Sequence, residues 1–236
     1  MFQQSVHVKP KLVLFDVYET LLSMDIIERK VNQLLDSKRG YHLWFELLTQ
    51  YCFAEALTGK FSGFNALSED ALQMVYQMLG QSVKKGHAQE VVEMLKHVPL
   101  RENAEHTLSV LSDKGYRVAA LTNSPKSMVV ERMERTGLIS YFEEVLSSEQ
   151  VKNYKPAIEV YQWAARVVNL NCQDILMVSS HAWDIAGAQH SGMATAYIGS
   201  RRHLHSSLIN SPQFTCETLN ELSKNLEDAA NTYTQD

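Results

Sequence analysis

The chain has little of what would mark a secreted, membrane-spanning or nucleic-acid-binding protein. Its 3 cysteines, Cys52, Cys172 and Cys216, are an odd number at no metal-ligand spacing, which argues against a disulfide framework or a zinc site and fits reduced thiols. No apolar run is long enough to span a bilayer, and the opening MFQQSVHVKPK lacks the apolar stretch of a signal peptide, so a cytoplasmic protein is expected. Positive charge is not in excess: 22 Lys and Arg against 27 Asp and Glu give −5, which speaks against nucleic acid or an anionic membrane as partner. No internal repeat is apparent, which removes solenoid architectures. What remains is a globular chain of 236 residues, 45% hydrophobic, long enough for one domain with a large insertion or for two small domains.

Three short apolar runs stand out, each ending in polar residues: KLVLF before Asp16, RVAAL before Thr122, Asn123 and Ser124, and DILMV before Ser179 and Ser180. Runs that are apolar at every position suit strands covered on both faces, as in a parallel sheet. Helical patterns separate them. ENAEHTLSVLSDKG sets Leu108 and Leu111 three apart and ends at Gly115, a plausible C-cap. Ser124-Pro125 reads as an N-cap followed by the first helical residue, and Lys155-Pro156 is expected to open another helix. A strand TAYIG follows Gly192, and a last helix is expected from Glu217. Strand and helix in alternation predict an α/β fold, a doubly wound, Rossmann-like parallel sheet. Residues 22–98 do not alternate. YHLWFELLTQYCFAEAL places Trp44, Leu47, Leu48, Tyr51 and Ala54 on one face, and SEDALQMVYQMLG runs from Ser68 as cap to Gly80 as stop, with Leu72, Val75 and Leu79 on one stripe. This predicts a helical cap at 22–98 inserted into a core formed by 1–21 and 99–236.

Ligands bind beyond the carboxyl ends of strands in such sheets, and every suspicious polar group falls there. Asp16 follows the first strand, Thr122-Asn123-Ser124 the second, and Ser179, Ser180 and Asp184 the third, while Lys155 opens a helix. Singly, each has an ordinary structural reading: a turn or cap for Asp16 and for Thr122-Asn123-Ser124, a solvated lysine, a carboxylate favouring a helix N-terminus for Asp184, packing for His181 and Trp183. Their convergence on one edge points to a site.

Asp16-Val-Tyr-Glu-Thr20, Thr122-Asn123-Ser124, Tyr154-Lys155-Pro156 and VSSHAWDIAGA resemble, in order, the four motifs of the haloacid dehalogenase superfamily, and SSHAWD is similar to the SSNAWD of the L-2-haloacid dehalogenases. The resemblance covers most of the chain, the helical cap included. It implies Asp16 as a nucleophile that forms an ester with a small-molecule substrate, Thr20 beside it, and Lys155 keeping it ionised. Asp184 and Ser179 would handle the hydrolytic water. Thr122 with the adjacent helix N-terminus would take the substrate carboxylate, Asn123 the departing halide, and Tyr161 would sit near the site. Phosphatases of the superfamily carry a second acid two residues after the nucleophile; here that residue is Tyr18, and a phenol with a pKa of about 10 is a poor proton donor near neutrality. A halide needs no proton to leave. The resemblance therefore implies a hydrolase of short L-2-haloacids with no cofactor and no metal, and the exposed face of the insertion is a candidate homodimer surface.

Three departures stand against the pattern. His181 replaces the motif asparagine and brings a titratable group to the site. The cap arginine that draws off the halide has Arg39 as its best candidate here, with a solvated arginine as the rival reading. Glu19 stands where many relatives have glycine. Two other readings follow: a Mg²⁺-dependent phosphatase of the same fold, or a weakened member with a binding role.

Overall fold

Leu12–Phe15, apolar at each position and fully buried, forms the central strand β1. The computed structural model describes residues 9–199 and 207–233; the segment 1–8, part of the stretch read for targeting, lies outside them. β1 pairs in parallel with β2 (Arg117–Thr122) on one side and β4 (Ile175–Ser179) on the other. The sheet continues through β3 (Glu144–Ser147) beyond β2, and through β5 (Ala194–Ile198) and β6 (Phe214–Cys216) beyond β4, in the order β3-β2-β1-β4-β5-β6. All pairs are parallel, as the doubly wound fold requires. Alternate side chains of β1 serve the two faces. Val13 and Phe15 enter the larger core, and Leu12 and Leu14 enter a second cluster with Val160 and Tyr161 of α7 (Ile158–Val167) and Ala188 of α8 (Ala182–His190).

Five helices lie between β1 and β2, and the first four form the insertion: α1 (Asp25–Leu34), α2 (Gly40–Thr58), α3 (Phe64–Met78) and α4 (His87–Leu95). The chain leaves and re-enters the sheet side by side, with Leu22 bridged antiparallel to Leu100, Ser23 N–H donating to Pro99 O and Arg101 N–H to Leu21 O. The larger apolar core runs unbroken from Val13 and Phe15 into Ile27, Trp44 and Leu72 of the insertion. The helices α5 (Ala104–Asp113), α6 (Lys126–Thr136) and α9 (Leu219–Tyr233) complete the fold. Among the described residues no helix is long and apolar enough to cross a membrane.

Several expectations need correction. β3, EVLS, carries only two apolar residues and β6 has 3 residues in all, so neither stands out as an apolar run. The helix expected at Ser124 starts at Lys126 with Pro125 as its N-cap, because Ser124 is drawn into the strand end, its N–H donating to Thr122 Oγ1. α7 starts at Ile158, not at Pro156, since Asn123 pins the backbone of Lys155 outside the helix. Ser68 is no cap: α3 begins four residues earlier and buries Ser68, whose carbonyl accepts from Trp44 Nε1 at 3.0 Å. α9 begins at Leu219, two residues after Glu217. Along α2 the buried stripe is Tyr41, Trp44, Leu48, Cys52 and Glu55, so Tyr51 and Ala54 face outward.

Candidate active site

β1 lies between β2 and β4, so the residues ending those three strands meet at one point. Asp16 follows β1 directly, and its backbone N–H still pairs with Val178 O of β4. Lys155 Nζ lies 2.8 Å from Asp16 Oδ1, 2.9 Å from Asp184 Oδ2 and 3.0 Å from Leu121 O. Thr20 Oγ1 donates to Asp16 Oδ2 at 2.7 Å and accepts from Ser180 N–H at 3.0 Å. All four groups, Asp16, Thr20, Lys155 and Asp184, are buried. Burial by itself would raise the Asp16 carboxyl. The charge of Lys155, the neighbouring His181 ring and the hydrogen bonds from Lys155 and Thr20 outweigh it and hold the group below the ordinary carboxylate value. Burial likewise works against the Lys155 ammonium, and its two carboxylate partners reverse the effect and raise it. The arrangement is an ionised, oriented carboxylate with one oxygen held by an ammonium and the other by a hydroxyl.

Asp16 forms part of the wall of a cavity of about 50 Å³ between the sheet edge and the insertion. Tyr18, Thr122, Asn123, Ser124, Lys155 and His181 supply its polar edge, and Trp44, Phe45, Leu48, Phe64 and Trp183 are among its apolar walls. Tyr18 turns its hydroxyl toward Leu95 O, 3.4 Å away, and burial pushes the phenol far above its usual range, against the opposing charge of Arg132. The position two residues after Asp16 therefore carries no acid.

The structure brings together Asp16, Tyr18, Thr20, Thr122, Asn123, Lys155, Asp184 and His181, but several expected roles do not fit the placement. Arg39 is exposed at the N-cap of α2, and no arginine is among the described residues lining the cavity. Both ends of the Asn123 amide are engaged with Lys155: Nδ2 donates to its carbonyl at 3.2 Å and Oδ1 accepts its N–H at 2.8 Å. Asn123 thus fixes the lysine. At the adjacent helix N-terminus Lys126 N–H already donates to Glu149 Oε1 at 2.8 Å, and Pro125 has no N–H, so that anion site is partly filled from within. Tyr161 and Asp184 stay behind the cavity wall: Tyr161 OH donates to Asp184 Oδ1 at 2.6 Å, which leaves both carboxylate oxygens of Asp184 occupied. Burial first, and then the Asp184 charge, hold the Tyr161 phenol protonated. Ser179 is fully buried and accepts the His181 N–H at 3.1 Å.

His181 takes a larger part than packing. Its ring stacks between Phe45 and Trp183, at 5.6 and 5.0 Å, and its nitrogens face two carboxylates: Nε2 lies 3.7 Å from Asp16 Oδ2 and Nδ1 3.6 Å from Glu19 Oε2. Glu19 in turn accepts from Tyr41 OH at 2.6 Å. A glutamate where a left-handed turn suits glycine was the one signal in the chain for this contact. The departure from glycine was visible, its target was not.

The model of a hydrolase family described as haloacid dehalogenase-like hydrolase matches residues 10–192. The chain is 25% identical over 223 residues to the (S)-2-haloacid dehalogenase of Pseudomonas sp. (strain YL), covering 93% of this chain and 96% of that protein. It is 28% identical over 186 residues to the (S)-2-haloacid dehalogenase 4A of Burkholderia cepacia, covering 78% and 80%. In fold it is similar to the L-2-haloacid dehalogenase of Xanthobacter autotrophicus with chloropropionic acid covalently bound, with a TM-score of 0.83 at 20% identity over 92% of this chain and 98% of that one.

Proposed function

The chain belongs to the haloacid dehalogenase-like hydrolases, and from that membership we propose that it hydrolyses the carbon–halogen bond of short L-2-haloacids, with Asp16 as nucleophile and no metal ion. An Asp16 carboxylate oxygen attacks C2 of the acid from the side opposite the halogen. A C–O bond forms, the C–X bond breaks, and the halide leaves with the bonding pair, giving an ester of Asp16 with C2 inverted. Water then adds to the Asp16 carbonyl carbon and releases the 2-hydroxy acid. Thr122 and Ser124 form the polar edge on which the substrate carboxylate rests, and Lys155 offsets its charge.

The observation that carries this reading is the pairing of an ionised Asp16 with a phenol at the position two residues on, inside a narrow apolar cavity. An alkoxide leaving group calls for a general acid, worth typically 10²–10⁴-fold in rate, and Tyr18 is turned away and too weak. A halide departs as a stable anion without one. The donor set does not fit the Mg²⁺ of the phosphatase reading either: Lys155 Nζ fills the space between Asp16 and Asp184, and the second oxygen of Asp184 is taken by Tyr161. Names of the relatives, (S)-2-haloacid dehalogenases, support the substrate class.

The test is halide release from L-2-chloropropionate in excess chelator. Chloride should appear with D-lactate in equal amount, and Asp16→Asn should abolish both. Turnover of a phosphomonoester that requires added Mg²⁺, with no chloride released, would overturn the proposal.

A further inference from the structure

We propose that His181 is the base that drives hydrolysis of the Asp16 ester, with Glu19 as the residue that positions it. This rests on the covalent reading above and concerns its second step. That step needs a group that accepts a proton from water beside the Asp16 carbonyl carbon. Asp184 is badly placed for it, because it is fully buried behind the cavity wall with one oxygen on Lys155 Nζ and the other on Tyr161 OH. Lys155 is cationic and already donates to three oxygens. His181 lines the cavity, 3.7 Å from Asp16 Oδ2, and its stacking between Phe45 and Trp183 fixes the ring plane.

The surroundings match a proton-accepting imidazole. A carboxylate at the far nitrogen orients such a ring and stabilises the imidazolium that forms. Glu19 Oε2 lies 3.6 Å from Nδ1, and Glu19 is itself anchored by Tyr41 OH on α2. Glu19 also sits in the left-handed region, with φ of 64°, which costs a residue with a side chain about 1 kcal/mol that glycine would not incur. Its side chain contributes the contacts just described. The charged groups around the ring are Asp16 at the end of β1, Glu19 in the turn after it, Lys155 bound to Asp16, and Arg101, whose guanidinium holds Glu19 O at 2.7 Å and Ser180 Oγ at 2.6 Å. On its outer side Glu19 opens onto a wider cleft of about 530 Å³, so a proton has a way to solvent.

His181 Nε2 takes one proton of the attacking water, and the hydroxide adds to the Asp16 carbonyl carbon. The tetrahedral centre collapses, the ester C–O bond breaks, and the proton returns from His181 to the departing alkoxide, completing the 2-hydroxy acid. The second water proton, now on the Asp16 carboxyl, leaves through His181 and Glu19 to the cleft, restoring the Asp16 carboxylate.

The experiment uses the full chain with L-2-chloropropionate in chelator, following chloride by rapid quench and the Asp16 peptide by mass. His181→Gln should release one equivalent of chloride per site, hold the substrate on Asp16 as an adduct lacking the halogen, and turn over 10²–10⁴-fold more slowly than the native protein. Glu19→Gln should lower kcat at least about tenfold, accumulate the same adduct and displace the acid limb of the kcat profile, which a purely structural role would leave in place. Glu19→Gln also keeps the test alive if His181→Gln does not fold, which circular dichroism reports. The inference is overturned if folded His181→Gln turns over within about threefold of native with no adduct, or if the chloride burst vanishes together with turnover. If the native protein releases no chloride at all, it is the dehalogenase reading that fails, and the role of His181 falls with it.

Discussion

At the scale of single residues the site turns on the Lys155 ammonium, placed within 2.9 Å of two buried carboxylates. Lys155→Met keeps the length and removes the charge, leaving Asp16 and Asp184 without their common partner. A buried pair broken in this way typically costs about 3–5 kcal/mol, so the urea midpoint should fall by that equivalent and turnover should vanish. The lowered Asp16 carboxyl sets the sign of a pH effect. Its folded value lies below an unfolded value of about 3.9, so its contribution to stability is complete above about pH 4 and is lost as pH falls through the lowered folded value. Urea titrations between pH 3 and 7 should show that component in the native chain and not in Asp16→Asn. Arg39 makes the opposite prediction. It is exposed and outside the cavity lining, so Arg39→Ala should leave kcat/KM within about twofold of native. Asp16 and Asp184 stood out in the chain because they follow apolar strands, whereas Thr20 and Lys155 gained a role only from the resemblance of their motifs. That Arg39 faces away from the cavity is recorded by no spacing in the chain.

Among the elements, α8 carries the closest packing at the site. A Cβ on Gly187 would lie 2.7 Å from Pro156 O, from Pro156 Cβ and from Tyr161 Cε2. The bare glycine lets α8 press on the segment that carries Lys155 and Tyr161, which brings Asp184 within reach of both. Gly187→Ala forces that contact apart; overpacking of this kind costs typically about 1–3 kcal/mol, and thermal melts should show the loss. KM for the haloacid should change less than kcat, because the displaced groups lie behind the cavity wall. Strands that are apolar along most of their length announced themselves in the sequence and the others did not. β1 and β4 are buried throughout and β2 and β5 are buried after their first residue, whereas β3 holds only Val145 and Leu146 as apolar residues between Glu144 and Ser147, and β6 is a 3-residue edge with only Cys216 fully buried. Helix starts slipped for a related reason: Ser124 and Ser68 are good caps by chemistry, but tertiary hydrogen bonds drew both elsewhere.

Over the whole molecule, the insertion closes on the sheet edge and leaves about 50 Å³ of cavity, far less than the 300–1,000 Å³ of sites for drug-sized ligands. Trp44, Leu48 and Phe64 set that size from the helical side. Initial rates with 2-chloro acids of increasing length should fall steeply beyond about four carbons, since each buried methylene without room is repelled rather than bound, and Leu48→Ala should restore part of the rate for the longer acids. The fold class and the helical insertion followed from alternation and its interruption, but the free space between the two is set by side chains from distant parts of the chain and is not written in any local pattern. The proposed dehalogenation proceeds through a covalent bond to Asp16. One turnover in H₂¹⁸O, with protein in excess over L-2-chloropropionate, tests it directly. The label should enter the Asp16 carboxylate and leave the first D-lactate unlabelled; ¹⁸O in the hydroxyl of that first lactate would mean that water attacked the substrate itself, and would contradict the account.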